Sequence, residues 1–249
     1  MWVDNRMIVL LTDFGESEYV GMMKGKIYSI CEEVRIVDLT HSITPQSIIE
    51  GAWVLKTSYR YFPPRTIFVV VVDPGVGTER RSVLVQTKNY HFIGPDNGVL
   101  YPAATEDGIR QVFEIKVTEQ DSRTFHGRDV FAPTAAYLYK GAVGRRLGNF
   151  VGELSVPLEF HLDGREGQVV RIDRFGNVIT NIPPLDKDEY VVRYKGTEKR
   201  LKWYQTYAAA SFGELFLVTG SAGTLEISIR DASAASVVMA RQGDTIVIE

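Results

Sequence analysis

Met7-Ile8-Val9-Leu10-Leu11, running straight into Thr12-Asp13-Phe14-Gly15, decides the architecture of this chain. Five consecutive apolar residues that stop at a polar turn read as a strand buried on both faces, the kind parallel sheets use. Beyond the turn, Val20, Met23, Ile27 and Ile30 recur at helical spacing, and Val34 to Leu39 supplies a second strand. Thr44-Pro45 reads as an N-cap with proline at the first helical position, opening an amphipathic helix through Ile48, Ile49, Ala52, Trp53 and Tyr59. Ile67 to Val72 is a third apolar strand. This strand-helix-strand-helix-strand order implies parallel strands joined by right-handed crossovers, with helices on the sheet faces.

Downstream, Ser82 to Thr87, Tyr90 to Ile93 and Val112 to Val117 read as shorter strands, with a Pro95-Asp96-Asn97-Gly98 turn among them. A last helix is expected from about Asp129 to Lys140. Residues 1–160 are thus expected to form an α/β N-terminal domain with a central, mainly parallel sheet flanked by helices. From Gly167 the rhythm changes to short strands punctuated by turns: Val169 to Ile172, Tyr190 to Tyr194, Leu201 to Trp203, Leu215 to Val218, Thr224 to Ile229 and Thr245 to Ile248. Residues 167–249 are expected to be a small all-β, antiparallel barrel-like domain, with Gly152 to Gly167 as the linker.

The bulk numbers agree with two ordinary globular units. At 249 residues, 45% hydrophobic and 24% charged, the chain has enough apolar material for two cores and lies far from disordered compositions. A formal charge of −3 supplies no basic field for a phosphate backbone, so nucleic acid is not an expected partner. The single cysteine, Cys31, excludes an intramolecular disulfide framework and points to a reducing, cytoplasmic setting. Met1-Trp2-Val3-Asp4-Asn5-Arg6 shows no charged segment preceding a long apolar one, and no apolar run reaches the roughly 18 residues of a membrane span. His41, His91, His126 and His161 are scattered without paired ligand spacing, so no metal is expected.

Ligands of open parallel sheets collect outside the carboxyl ends of the strands. Asp13 ends the first strand there, either as a two-oxygen acceptor for a ribose diol or as a cap of its own turn. Asp73 ends the third and opens Asp73-Pro74-Gly75-Val76-Gly77-Thr78-Glu79-Arg80-Arg81, a rigid loop in which the aspartate is either functional or paired structurally to an arginine. Thr124-Phe125-His126-Gly127-Arg128-Asp129 places an imidazole just before the last helix. In the second domain, Asp173-Arg174-Phe175-Gly176-Asn177 combines a ring that can stack with an amide that can pair, features that suit a purine and equally suit a β-turn. Gly220-Ser221-Ala222-Gly223 is a turn whose N–H groups and hydroxyl could hold a carboxylate.

Taken in order along nearly the whole chain, these blocks, with Asp38-Leu39-Thr40-His41, Ile43-Thr44-Pro45, Gly94 to Gly98 and Thr180-Asn181, resemble the S-adenosylmethionine hydrolases, also called SAM hydroxide adenosyltransferases. The resemblance implies S-adenosyl-L-methionine as substrate with no cofactor, and a catalytic set of Asp73, Arg80 and His126, with Arg81 the alternative to Arg80. It also assigns substrate binding to Asp13 (ribose), Glu18, Asp173, Phe175, Asn177, Tyr207 and Ser221 (methionine end). It further implies a homotrimer whose sites lie between one subunit's N-terminal domain and the next one's C-terminal domain. The related fluorinases and chlorinases resemble it less: they carry a tyrosine or similar residue where Asp73 stands and a longer N-terminal domain insertion. Ala222 and Glu18 stand where the fluorinase has an arginine and an aspartate.

The expected reaction is attack of an activated water on ribose C5′, releasing adenosine and methionine. Methionine is a neutral leaving group, so no general acid is required. Opposite charges at about 4 Å interact by roughly 4 kcal/mol at an effective dielectric of 20, which makes a paired Asp73 a better orienter of water than a base. Halide-dependent adenosyl transfer and a non-catalytic adenosine or S-adenosylmethionine sensor are the two rival readings.

Overall fold

The structure, a computed structural model, describes residues 6–249, so the reading of Met1 to Asn5 lies outside the described residues. Two compact units divide the chain, the first ending at Leu158 and the second spanning Glu159–Glu249.

The first unit runs β1 (Ile8–Thr12), α1 (Glu18–Tyr28), β2 (Ile36–Thr40), α2 (Ile48–Ser58), β3 (Ile67–Val71), β4 (Ser82–Thr87), β5 (His91–Pro95), α3 (Tyr101–Asp107), β6 (Ile109–Ile115), α4 (Ala132–Tyr139) and β7 (Leu147–Phe150). One sheet holds its seven strands in the order β2-β1-β3-β5-β4-β6-β7. The unbroken apolar run of β1 has a direct explanation. Val9 and Leu11 pack on one face with Val54 and Leu55 of α2 and Ala103 of α3. Ile8 and Leu10 pack on the other with Val20, Met23 and Ile27 of α1 and Ala132, Ala135 and Ala136 of α4. Each such side chain removed from water stabilises the fold by about 1.5–3 kcal/mol.

The sheet is mixed, which corrects the mainly parallel expectation. The β1·β2, β1·β3 and β3·β5 pairs are parallel, whereas β4·β5, β4·β6 and β6·β7 are antiparallel. The reason is connection length: only Lys88-Asn89-Tyr90 separates β4 from β5, and a parallel crossover needs a dozen residues or more. The opening of α2 also differs from expectation. Ser47, not Thr44, is the N-cap, with its side chain accepting from Glu50 N, while Glu50 Oε2 accepts from Thr44 N at 3.0 Å. Ser47-Ile48-Ile49-Glu50 is a capping-box spacing. Gly127–Phe131 forms a π-helical turn that runs into α4. Helix α3 and strand β7 are additions to the elements read from sequence, both too short for periodicity to reveal.

The second unit contains β8 (Glu166–Ile172), β9 (Val178–Thr180), β10 (Glu189–Tyr194), β11 (Thr197–Tyr204), β12 (Leu215–Thr219), β13 (Leu225–Ile229), α5 (Ala234–Val238) and β14 (Thr245–Ile248). The strands close into a barrel in the order β10-β11-β12-β13-β9-β8-β14. Its pairings are antiparallel except β11 with β12. Val169, Val178, Tyr190, Leu217, Ile227 and Ile246 are among the side chains that form its core. Among the described residues, no helix is long and apolar enough to cross a membrane.

Candidate active site

Strand β1 lies between β2 and β3, so the winding of the parallel half reverses there, and a crevice opens beyond the carboxyl ends of β1 and β3. Asp13 and Asp73 emerge at that crevice, with Asp13 N donating to Val71 O across the gap. The loop after Asp73 is self-bonded: Val76 N donates to Asp73 O, and Thr78 donates through both N and Oγ1 to Gly75 O. Gly77 has φ +77°, and a Cβ there would lie 2.3 Å from Arg123 O, so only glycine closes this loop.

The loop brings the chain back to Arg80, whose guanidinium organises three groups. Nε donates to Asp73 Oδ1 at 2.9 Å and Nη2 to Asp73 Oδ2. Nη1 donates to Ser82 Oγ at 2.8 Å, and Nη2 also meets His126 Nδ1 at 2.8 Å. The Asp73 and Arg80 side chains are 4% and 10% exposed, so this pairing is shielded from water. A guanidinium has no acceptor, so His126 Nδ1 must be the unprotonated nitrogen and Nε2 carries the proton. Burial first, and the charge of Arg80 second, push the His126 pKa below its ordinary value, in agreement with a neutral ring. Arg81 points elsewhere: it binds Asp96, whose side chain is fully buried, and Glu153 O. The two arginines directly precede β4 and are drawn to different carboxylates.

A cleft of about 600 Å³ opens over this cluster, lined by Asp13, Asp73 and His126 together with Phe14, Tyr19 and Phe125. The three rings meet edge-to-face at centroid distances of 5.1–5.8 Å, and the Arg128 guanidinium lies over Phe125 at 5.0 Å. Asp13 Oδ2 accepts from Gln46 N at 2.7 Å, leaving Oδ1 for a ligand hydroxyl. Glu18 sits exposed in the first turn of α1, outside the lining.

The barrel carries a separate cleft of about 800 Å³, lined by Asp173, Phe175, Asn177 and Tyr207 and by residues 229–233. Asp173 builds the turn there: its Oδ1 accepts from Phe175 N and Asn177 N, and its Oδ2 from Asn177 Nδ2, each at 2.9 Å. Phe175 is thereby held out, 71% exposed. Tyr207 donates to Glu226 Oε2 at 2.8 Å; burial raises the pKa of that carboxyl, and burial first raises that of the phenol too. Ser221 is exposed in the β12–β13 turn, outside this cleft. The structure therefore brings together Asp13, Asp73, Arg80 and His126 in one unit and Asp173, Phe175, Asn177 and Tyr207 in the other. Ser82, Gln46 and Glu226 were not anticipated. Ser82 had a signal, since it stands two residues beyond Arg80 at the start of β4, whereas Gln46 acts through its backbone and Glu226 reads locally as an ordinary strand residue.

The same two units are matched by family models: the SAM hydroxide adenosyltransferase N-terminal domain over residues 8–148 and the C-terminal domain over residues 167–247. The chain belongs to the SAM hydroxide adenosyltransferase family. An (R)-S-adenosyl-L-methionine hydrolase from Methanocaldococcus jannaschii is 39% identical, over 89% of this chain and 88% of that protein. A fluorinase from an Actinoplanes species is 30% identical, over 79% and 78%. The crystal structure of an uncharacterized conserved protein from Thermotoga maritima superimposes with a TM-score of 0.89 at 37% identity, covering 98% of this chain and all of that one. Among the described residues of this family member, no group of three or more His, Cys, Asp or Glu side chains is placed to hold a metal ion.

Proposed function

We propose that this chain is an enzyme that hydrolyses S-adenosyl-L-methionine to adenosine and L-methionine by attack of water on the ribose C5′ carbon. The observation that carries the reading is the Asp73–Arg80–His126 cluster at the sheet's switch point, facing a cleft that also holds Asp13, in a member of this family. A water molecule lodged there would donate to a carboxylate oxygen of Asp73, which keeps lone pairs beyond those Arg80 uses, and accept from His126 Nε2–H. Its remaining lone pair then points at C5′. As the C–O bond forms, the C5′–S bond breaks with its electron pair passing to sulfur. Neutral methionine leaves, and the new oxonium releases its proton to solvent. His126 cannot take that proton at Nδ1, which Arg80 occupies, so positioning and electrostatics supply the catalysis.

The hydrolase relatives are named for the (R) form of S-adenosyl-L-methionine. The sulfonium sulfur is a stereocentre, and we take the (R) epimer as the preferred substrate, which assays with each resolved epimer test. The ribose diol is assigned to Asp13 and the nucleoside or methionine parts to Asp173, Phe175, Asn177 and Tyr207. Glu18 and Ser221 retain roles by resemblance only. No cofactor is required, because the sulfonium carries its own leaving group. A homotrimer is the proposed assembly, measurable as mass in solution, and the cytoplasm the proposed location.

The rival halide reading is disfavoured by Asp73. A halide needs donors around it, and a carboxylate at the nucleophile's position offers acceptors and repulsion, whereas water needs those acceptors. Incubating the protein with S-adenosyl-L-methionine in chloride buffer and separating the products distinguishes the three readings. Adenosine supports hydrolysis, a chlorinated nucleoside supports halide transfer, and tight binding without methionine release supports a sensor.

A further inference from the structure

We propose that His41 is a positioning residue for Asp13, acting through the side chain of Thr12. The inference rests on the reading of Asp13 as the ribose-binding carboxylate. Thr12 is fully buried at the end of β1, and its Oγ1 lies 2.9 Å from His41 Nδ1 while accepting from Phe14 N at 3.2 Å. On the far side of the ring, buried His41 Nε2 lies 3.1 Å from Asp38 Oδ1, within ion-pair distance but outside hydrogen-bond geometry, and Lys24 Nζ donates to Asp38 Oδ2 at 2.6 Å. Burial alone would raise the Asp38 pKa, but Lys24 and His41 hold it below the usual carboxylate value. Thr12 Oγ1 already accepts from Phe14 N, so its hydroxyl proton can be donated to His41 Nδ1, and the nearby Asp38 carboxylate favours the tautomer with its proton on Nε2.

The result is a contact from His41 to Thr12 that ends one residue before Asp13, with the Lys24–Asp38 pair close behind the ring. It fixes the Thr12 rotamer with its lone pairs toward Phe14 N, and so fixes the peptide units on both sides of Asp13. Backbone donors close the same clamp: Gly15 N donates to His41 O at 2.7 Å, and Gln46 N to the Asp13 side chain at Oδ2. Two loops that leave different strands are therefore locked together around one carboxylate. Neither Thr12 nor His41 lines the substrate cleft, so their effect on the reaction passes through Asp13.

The test compares kcat and KM for S-adenosyl-L-methionine and its 3′-deoxy counterpart, which lacks one hydroxyl that Asp13 would hold. The wild-type protein should favour the hydroxylated substrate by roughly tenfold or more in kcat/KM. Asp13→Asn should abolish that preference. His41→Leu and Thr12→Val should each reduce it severalfold, mainly through KM, and the double variant should lose little more than either single one. His41→Asn, whose amide oxygen can replace Nδ1 as acceptor, should restore most of it. Asp38→Asn tests the same arrangement from a residue outside the buried turn and should lower the preference by a smaller factor. Preference lost in Asp13→Asn but kept in His41→Leu, Thr12→Val and Asp38→Asn, with both substrates slowed equally, overturns the role of His41 and leaves the ribose reading intact. Preference kept in Asp13→Asn overturns both.

Discussion

The cleft at the switch point of the sheet and the cleft on the barrel are built in opposite ways. In the first, the Asp73 and Arg80 side chains are 4% and 10% exposed, and each is hydrogen-bonded within a fixed cluster. In the second, Phe175 is 71% and Tyr207 45% exposed, held by a turn and by one buried carboxyl. The difference separates two tasks. Groups that must be aligned before a reaction begins are buried and over-bonded, so no reorganisation remains to be done. Aromatic faces that gain by covering a ligand are left open, because only uncovered apolar surface can contribute when the ligand arrives.

Asp73→Ala should strain that contrast most, with a loss on the order of 10² or more in kcat and a smaller change in KM. Unchanged turnover in steady-state assays removes Asp73 from the reaction. On the barrel side, Phe175→Ala should raise KM by roughly tenfold while kcat changes less, the signature of lost binding as opposed to lost alignment. A kcat effect as large as that of Asp73→Ala would show that the two clefts do not divide the work in this way.

Proton linkage sharpens the comparison further. His126 has a folded-state pKa below its ordinary 6.5, from burial and then from Arg80. The folded protein therefore binds fewer protons than the unfolded chain in the interval between the two values. The stability this group contributes is fully present above about 6.5 and declines as pH falls toward the folded value. Protonation would also set an Nδ1–H against Arg80 Nη2–H, so the acid limb of kcat should lie below 6.5 and vanish in His126→Gln. A limb centred above that value contradicts the neutral tautomer. Glu226 shifts the other way: burial raises its pKa, so its contribution to stability is present at acid pH and is lost as pH rises through the folded value. Glu226→Gln, which preserves an acceptor for Tyr207, should gain in Tm relative to wild type by a small amount that grows as pH rises from about 4.5 through the raised folded value and then levels off.

The parallel half of the first unit was legible because burial on both faces writes itself as uninterrupted apolar runs at β1 and β3. The antiparallel half was legible as strands but not as pairings, since direction is encoded in the three-residue spacing between β4 and β5 and not in either strand. In the barrel, short runs punctuated by turns located six of the seven strands, and the three-residue β9 was hidden within the turn it follows. The neighbours Arg80 and Arg81 show the limit at the site. Their chemistry is identical, and only the folded path of the loop decides that one meets Asp73 and the other Asp96. The bond from Tyr207 to Glu226 joins residues 19 apart, a contact no local pattern announces.

The central claim is that water itself attacks the ribose carbon, and incubation in heavy-oxygen water tests it most directly. Adenosine analysed by mass spectrometry should carry one heavy oxygen at its 5′ position, with none in methionine. Adenosine formed without label at that position, or label found in methionine, would contradict direct attack by water at C5′.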